Sequence, residues 1–171
     1  MQPTIINKVA NSSLNTLNLE SFLPQTEIVG FDITPYLYME LILKEKEFRA
    51  ALLTINWEAY TNKHVAIFCS ADAIVPVWAY MLITTYITPF AKTVHLNTVN
   101  NVRTYLMLQN INAIDTAPFY AQRVVIKGCG ETPIPNEAYI AIAHKLQPIA
   151  KSIMYGEPCS TVPIYKNKNA M

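Results

Sequence analysis

Apolar positions along this chain fall into short continuous runs and into longer helical spacings, and the two kinds alternate. Glu27–Ile33 (EIVGFDI) predicts a first strand. Val65–Cys69 and Val124–Lys127 are short apolar runs of the sort buried on both faces of a parallel sheet. Thr93–Leu96 and Ile153–Tyr155 predict two more short strands. Between these runs the period changes from two to nearly four. Leu37, Leu41, Phe48 and Leu52 share one face of a helix predicted from Tyr36 to about Leu53, with the charges of KEKEFR opposite and room for a break near Leu43. Thr34-Pro35 supplies its cap and first position. Pro76 starts and Pro89 stops a helix that is apolar all round, the pattern of a buried central helix. Val99, Val102 and Leu106 mark an amphipathic helix, and Pro135–Gln147 a last one with Ala138, Ile142 and Leu146 inward. Asn56–Lys63, Ser70–Val75 and Ile111–Gln122 read as connections, and Gly156–Pro163 as a turn-rich segment.

The pattern repeats. His64–Val94 returns as Arg123–Ile153 at a fixed offset of 59 without a gap: Val65 meets Val124, Asp72 meets Glu131, Pro76 meets Pro135, Tyr80 meets Tyr139 and Pro89 meets Pro148. So many matches at one offset indicate a duplicated supersecondary unit. Strands alternating with helices give an α/β fold. The expectation is a three-layer, doubly wound, mostly parallel sheet built from two tandem repeats, about 44–94 and 103–153, with helices on both faces. These lie in a single domain, 27–166. Residues 1–26 mix Asn, Ser and Thr with Ile6, Val9, Leu14, Leu17, Leu19 and Phe22, and read as an N-terminal arm that docks on the body or on a partner. Residues 167–171 read as a disordered tail.

Composition narrows the function classes. With 171 residues, 51% of them hydrophobic and 15% charged, the chain can bury a core. Thirteen Lys and Arg against twelve Asp and Glu give no electrostatic case for nucleic acid or a membrane surface. The uncharged stretch Ala73–Ala91 is interrupted by its prolines and would span only ~18 Å as a helix, short of the ~30 Å hydrocarbon layer. The start MQPTIINKVANSS lacks the basic and apolar blocks of a signal peptide, so the cytoplasm is the expected location. Three cysteines without paired spacing fit a reducing compartment. The apolar arm and the low charge point to a homodimer.

Ligands of doubly wound sheets bind outside the carboxyl ends of the strands, where strand order reverses. All three cysteines map to that rim: Cys69 ends one strand, Cys129 follows its equivalent, and Cys159 comes four residues after IMY. Ser70, Asp72, Lys127, Gly128, Gly130, Glu131 and Glu157 line the same edge. Buried free cysteines often only pack, and no CxxC pair is present. Their common placement favours a metal site instead, since thiolates bind zinc, Cu(I), iron and iron–sulfur clusters. Three ligands leave a fourth position open. Thiol chemistry is an alternative, as an enzyme or a sulfur carrier, because Cys69 and Cys129 precede helix N-termini that stabilise a thiolate. Two such N-termini could also bind a small anion. Asp72 and Glu131 serve most simply as helix caps, and Tyr80 and Tyr139 as core residues with edge hydroxyls. His64, His95 and His144 read as packed or surface histidines.

The segments CSADAIVPVWAYM, VVIKGC and KSIMYGEPCSTVPIYK resemble those of a family of small proteins from Bacteroidota, the domain-of-unknown-function family numbered 2480. The likeness runs from about Ile6 to Lys166, with no departure at the three cysteines, Asp72 or Lys127. The family brings no assigned activity or catalytic residue to carry over. Its genes often lie near those of the sulfur-mobilisation system. The resemblance therefore implies iron–sulfur assembly proteins as partners and favours the metal or sulfur reading over anion binding.

Overall fold

The structure is a computed structural model, and it describes residues 14–128, 130, 132–157 and 159–167. In chain order the elements are β1 (Leu14–Asn18), β2 (Ile28–Asp32), α1 (Glu45–Leu52), β3 (His64–Phe68), α2 (Val77–Ile87), β4 (Thr93–Leu96), α3 (Val99–Asn112), β5 (Arg123–Lys127), α4 (Asn136–Leu146), β6 (Ser152–Glu157) and β7 (Ser160–Lys166). Their bounds carry the same offset that the sequence shows. Adding 59 to the ends of β3 gives the ends of β5, and adding it to the ends of α2 gives those of α4. Among the described residues no helix is long and apolar enough to cross a membrane.

The fold is α/β with mostly parallel strands, as expected, but the strands form two sheets instead of one. Pro24–Tyr105 makes one compact unit; residues up to Leu23, together with those from Leu106 on, make the other. In the Pro24–Tyr105 unit β2, β3 and β4 lie side by side in that order, all parallel. In the other unit the order is β1-β5-β6-β7, parallel except for the antiparallel pair β6 and β7. Among the described residues neither sheet reverses its strand order, so neither has the switch point that the sequence leads one to expect.

Each sheet has two helices packed on one face. In one unit, Phe48 and Leu52 of α1 and Ala79, Ile83 and Ile87 of α2 share a buried cluster with Val65 and Ile67 of β3. In the other, Met107 and Ile111 of α3 and Ala138, Ile142 and Leu146 of α4 share one with Val124 and Ile126 of β5. Right-handed crossovers that keep moving in one direction leave their helices on one side, which accounts for the difference from the two-faced expectation. Ala66 and Val125, on the alternate face of β3 and β5, are also fully buried. His64 shares that face at 6% exposure. Its Nδ1 lies 2.7 Å from Thr93 Oγ1, which lies 2.7 Å from His95 Nε2.

Two local readings change. Tyr36–Leu53 is not one helix, because Met39 and Glu40 adopt left-handed backbone (φ 53° and 58°), which a right-handed helix cannot pass through. The segment is a tight turn closed by a Tyr38–Ile42 bridge, with the Lys44 ammonium 3.5 Å above the Tyr38 ring, and the helix begins only at Glu45. The segment predicted as turn-rich is largely strand: Ser152–Glu157 and Ser160–Lys166 pair antiparallel, and Gly156 takes φ +119°, a conformation open mainly to glycine. Part of the predicted arm, Leu14–Asn18, is a sheet strand, and Leu17 and Leu19 are buried in the core of its unit.

Candidate functional site

Parallel pairing brings the carboxyl ends of neighbouring strands together, and chemistry-bearing residues collect there in both units. In the Pro24–Tyr105 unit the register sets Asp32 beside Phe68, directly before Cys69 and Ser70. Asp32 Oδ1 accepts hydrogen bonds from the backbone N–H of Thr34 (3.0 Å) and of Ser70 (3.1 Å), and Oδ2 accepts one from Ser70 Oγ (2.5 Å). Thr34 Oγ1 accepts from the N–H groups of Ser70 and Ala71, each at 3.0 Å, and lies 3.6 Å from Cys69 Sγ. The Cys69 thiol donates to the Ala71 carbonyl at 3.5 Å. Burial pushes the Asp32 carboxyl up, but the hydrogen bonds from Ser70 and Thr34 outweigh it and hold the group below the usual range. Burial raises the Tyr80 phenol, with a smaller contribution from Cys69. These groups satisfy one another, so this rim is a lock that fixes the loop after β3. Asp72 is exposed just beyond it, beside an apolar hollow.

The other unit uses the same frame with different residues. Asn18 ends β1 opposite Lys127, as Asp32 ends β2 opposite Phe68. Its side chain accepts from the Glu20 N–H (3.2 Å), so Glu20 stands where Thr34 stands in the first unit. The Glu20 carboxylate lies against Gly130, where any Cβ would overlap it; a Cβ at Gly128 would meet the Tyr139 hydroxyl. Both glycines are therefore close-approach positions. Lys127 Nζ pairs with Glu157 Oε2 at 3.5 Å. Tyr139 and Tyr155 meet edge to face, their ring centroids 5.7 Å apart. Beside them α4 and the β5–β7 side of the sheet enclose a groove of about 540 Å³, lined by Ile126, Asn136, Tyr139, Ala143, Tyr155 and Ile164 among others. Ile164 of β7, the edge strand, forms part of its wall.

Of the residues the sequence singles out, Lys127 and Glu157 come together, and Gly128 and Gly130 admit close neighbours. Ser70 belongs to the lock. Cys69 is half-buried in the Pro24–Tyr105 unit; Cys159 is exposed in the other, and both are free thiols. Cys129 and Glu131 lie outside the described residues. Among the described residues no three His, Cys, Asp or Glu side chains gather as a metal-ligand group. The sequence reading missed Asp32, Thr34, Asn18, Glu20, Asn136 and Tyr155. One signal for the first four was available: an Asp or Asn ending a strand, with a polar residue two positions on, is the pattern of a side-chain turn.

No curated protein and no solved structure matches the chain. A family model does, over residues 3–167, under the description Protein of unknown function (DUF2480). That match takes in both units and both strand-end rims, and the chain belongs to this family.

Proposed function

We propose that the protein is a small-molecule binding protein, and that its site is the groove between α4 and the β5–β7 side of the sheet. The observation that carries this reading is the groove itself. Its volume, about 540 Å³, lies within the ~300–1,000 Å³ span of ligand pockets, and it has the usual make-up of apolar walls with a few polar groups. Asn136, Tyr139 and Tyr155 supply those groups, and Ile126, Ala143 and Ile164 the walls. The ligand class is a largely apolar molecule bearing one hydrogen-bonding substituent. The fluorescent probe anilinonaphthalene sulfonate tests it. Saturable binding of one equivalent, weakened at least tenfold by Ala143→Trp, which fills the groove, is the expected result. Binding that Ala143→Trp leaves unchanged would remove the groove from consideration.

A metal or iron–sulfur role through Cys69, Cys129 and Cys159, in support of cluster assembly, is the second reading. Its support is that Cys69 and Cys159 are unpaired thiols, Cys69 directly after β3 and Cys159 between β6 and β7. Anaerobic purification followed by metal analysis and an absorption spectrum separates the two readings. Bound metal that disappears in the triple Cys→Ser variant supports it; metal at background in the unsubstituted protein rejects it.

A further inference from the structure

The tight turn before α1 carries more apolar surface than a solitary chain usually shows. Met39, Leu41 and Ile42 project from it, at 74%, 61% and 60% exposure. Leu41 and Ile42 line one hollow of about 400 Å³ together with Ile74, which is 92% exposed. Val77 and Met81 continue the surface along α2, four residues apart and so on the same helix face. These six side chains expose roughly 800 Å² in all, taking ~200 Å² for each when fully bare. The largest apolar patch on a typical monomer is ~300–600 Å². One partner's share of a standard protein interface is ~800 Å².

We propose that this surface is the face through which two copies of the chain associate about a twofold axis. Three observations favour a second copy over a different partner. The area is what each side of a stable dimer contributes. The six residues carry no charge, and a twofold that keeps the exposed acids beside them, Glu40 and Asp72, apart from their own copies sets apolar against apolar. The border is charge-balanced with itself: Lys44 pairs with Glu47 at 3.5 Å and Arg49 with Glu45 at 2.9 Å, all four exposed, and a twofold lets these acids and bases exchange partners between copies. The left-handed backbone at Met39 and Glu40 adds to the case. Two adjacent non-glycine residues in that region cost on the order of 1–2 kcal/mol each, and they hold an apolar tip out in solvent. This proposal is independent of the groove beside α4, which lies in the other unit.

Sedimentation of the full chain tests it. The expected species at ~50 μM has twice the 19.3 kDa chain mass and dissociates on dilution toward sub-micromolar concentration. Leu41→Glu and Ile74→Glu each shift it to the monomer at the same concentration, with far-ultraviolet circular dichroism unchanged. Ile140→Glu, on α4, leaves it dimeric. Amide exchange of residues 38–44 in the unsubstituted protein slows as concentration rises, a readout that needs no variant. A monomer at ~50 μM, or a dimer that both glutamate variants leave intact, overturns the proposal.

Discussion

Thr93 has one hydroxyl proton and two imidazoles to serve. It can donate to one of His64 Nδ1 and His95 Nε2, and must accept from the other. Burial holds His64 below the ordinary histidine range, with the charges of Lys92 and His95 adding to it, and burial alone does the same for His95. The folded chain therefore takes up these protons later than the unfolded chain. Stability from the pair is complete above the unfolded value of about 6.5 and is lost as pH falls from there toward the folded values. Two imidazolium ions on one oxygen, beside Lys92, would repel. The expected outcome is a thermal midpoint several degrees lower at pH 5.5 than at pH 7.5, with the gap narrowed in His64→Gln. Equal midpoints for the unsubstituted protein at the two pH values would refute it. None of this could be read from the sequence, since His64 and Thr93 are 29 residues apart and only the β3–β4 register joins them. The Asp32, Thr34 and Ser70 lock was hidden for the same reason. Its parts are ordinary turn residues until parallel pairing sets Asp32 beside Phe68.

Elements were the most legible scale, because period and punctuation act locally. Pro76 and Pro135 sit at the N-caps of α2 and α4, and Pro89 and Pro148 stop each of them short. The equivalence reaches the core. Ile83 and Ile142 are each fully buried at the centre of a helix, against β3 and β5 in turn. Ile83→Ala and Ile142→Ala should each cost about 2–5 kcal/mol in urea denaturation, and by similar amounts. A loss below ~1 kcal/mol at one of them would show that the two cores are not packed alike. The failure at Tyr36–Leu43 also has a physical source. Apolar spacing there fits a helix, and nothing in the residue types Met39 and Glu40 announces left-handed backbone, which glycine or asparagine would have signalled. Gly156 did carry such a signal, but a glycine marks a turn without telling whether strands flank it.

At the level of the whole chain, alternating strands and helices do not say how many sheets they fill. The same string serves a single doubly wound sheet or two smaller ones, and the choice depends on which edges pair. The duplication at offset 59 hinted at two bodies, yet it placed both within residues 27–166. Neither the period nor the offset shows that Leu14–Asn18 lies beside Arg123–Lys127. Strand formation there is favoured by Leu14 and Leu17, but the partner is more than a hundred residues away.

That pairing bears on how the chain is made. Leu14–Asn18 is translated early, while the strand it rests against, Arg123–Lys127, is translated late, after the whole of Pro24–Tyr105. The central segment contains every strand of its own sheet and can close as soon as it leaves the ribosome; the segment before it must wait, unpaired, for the carboxyl-terminal third. Joining such distant ends carries a loop-closure penalty that grows only with the logarithm of the separation, and a prior collapse of the intervening residues shortens the effective loop. Birth order thus runs opposite to assembly order for this one strand, and the waiting edge is where a nascent chain would be most open to mispairing.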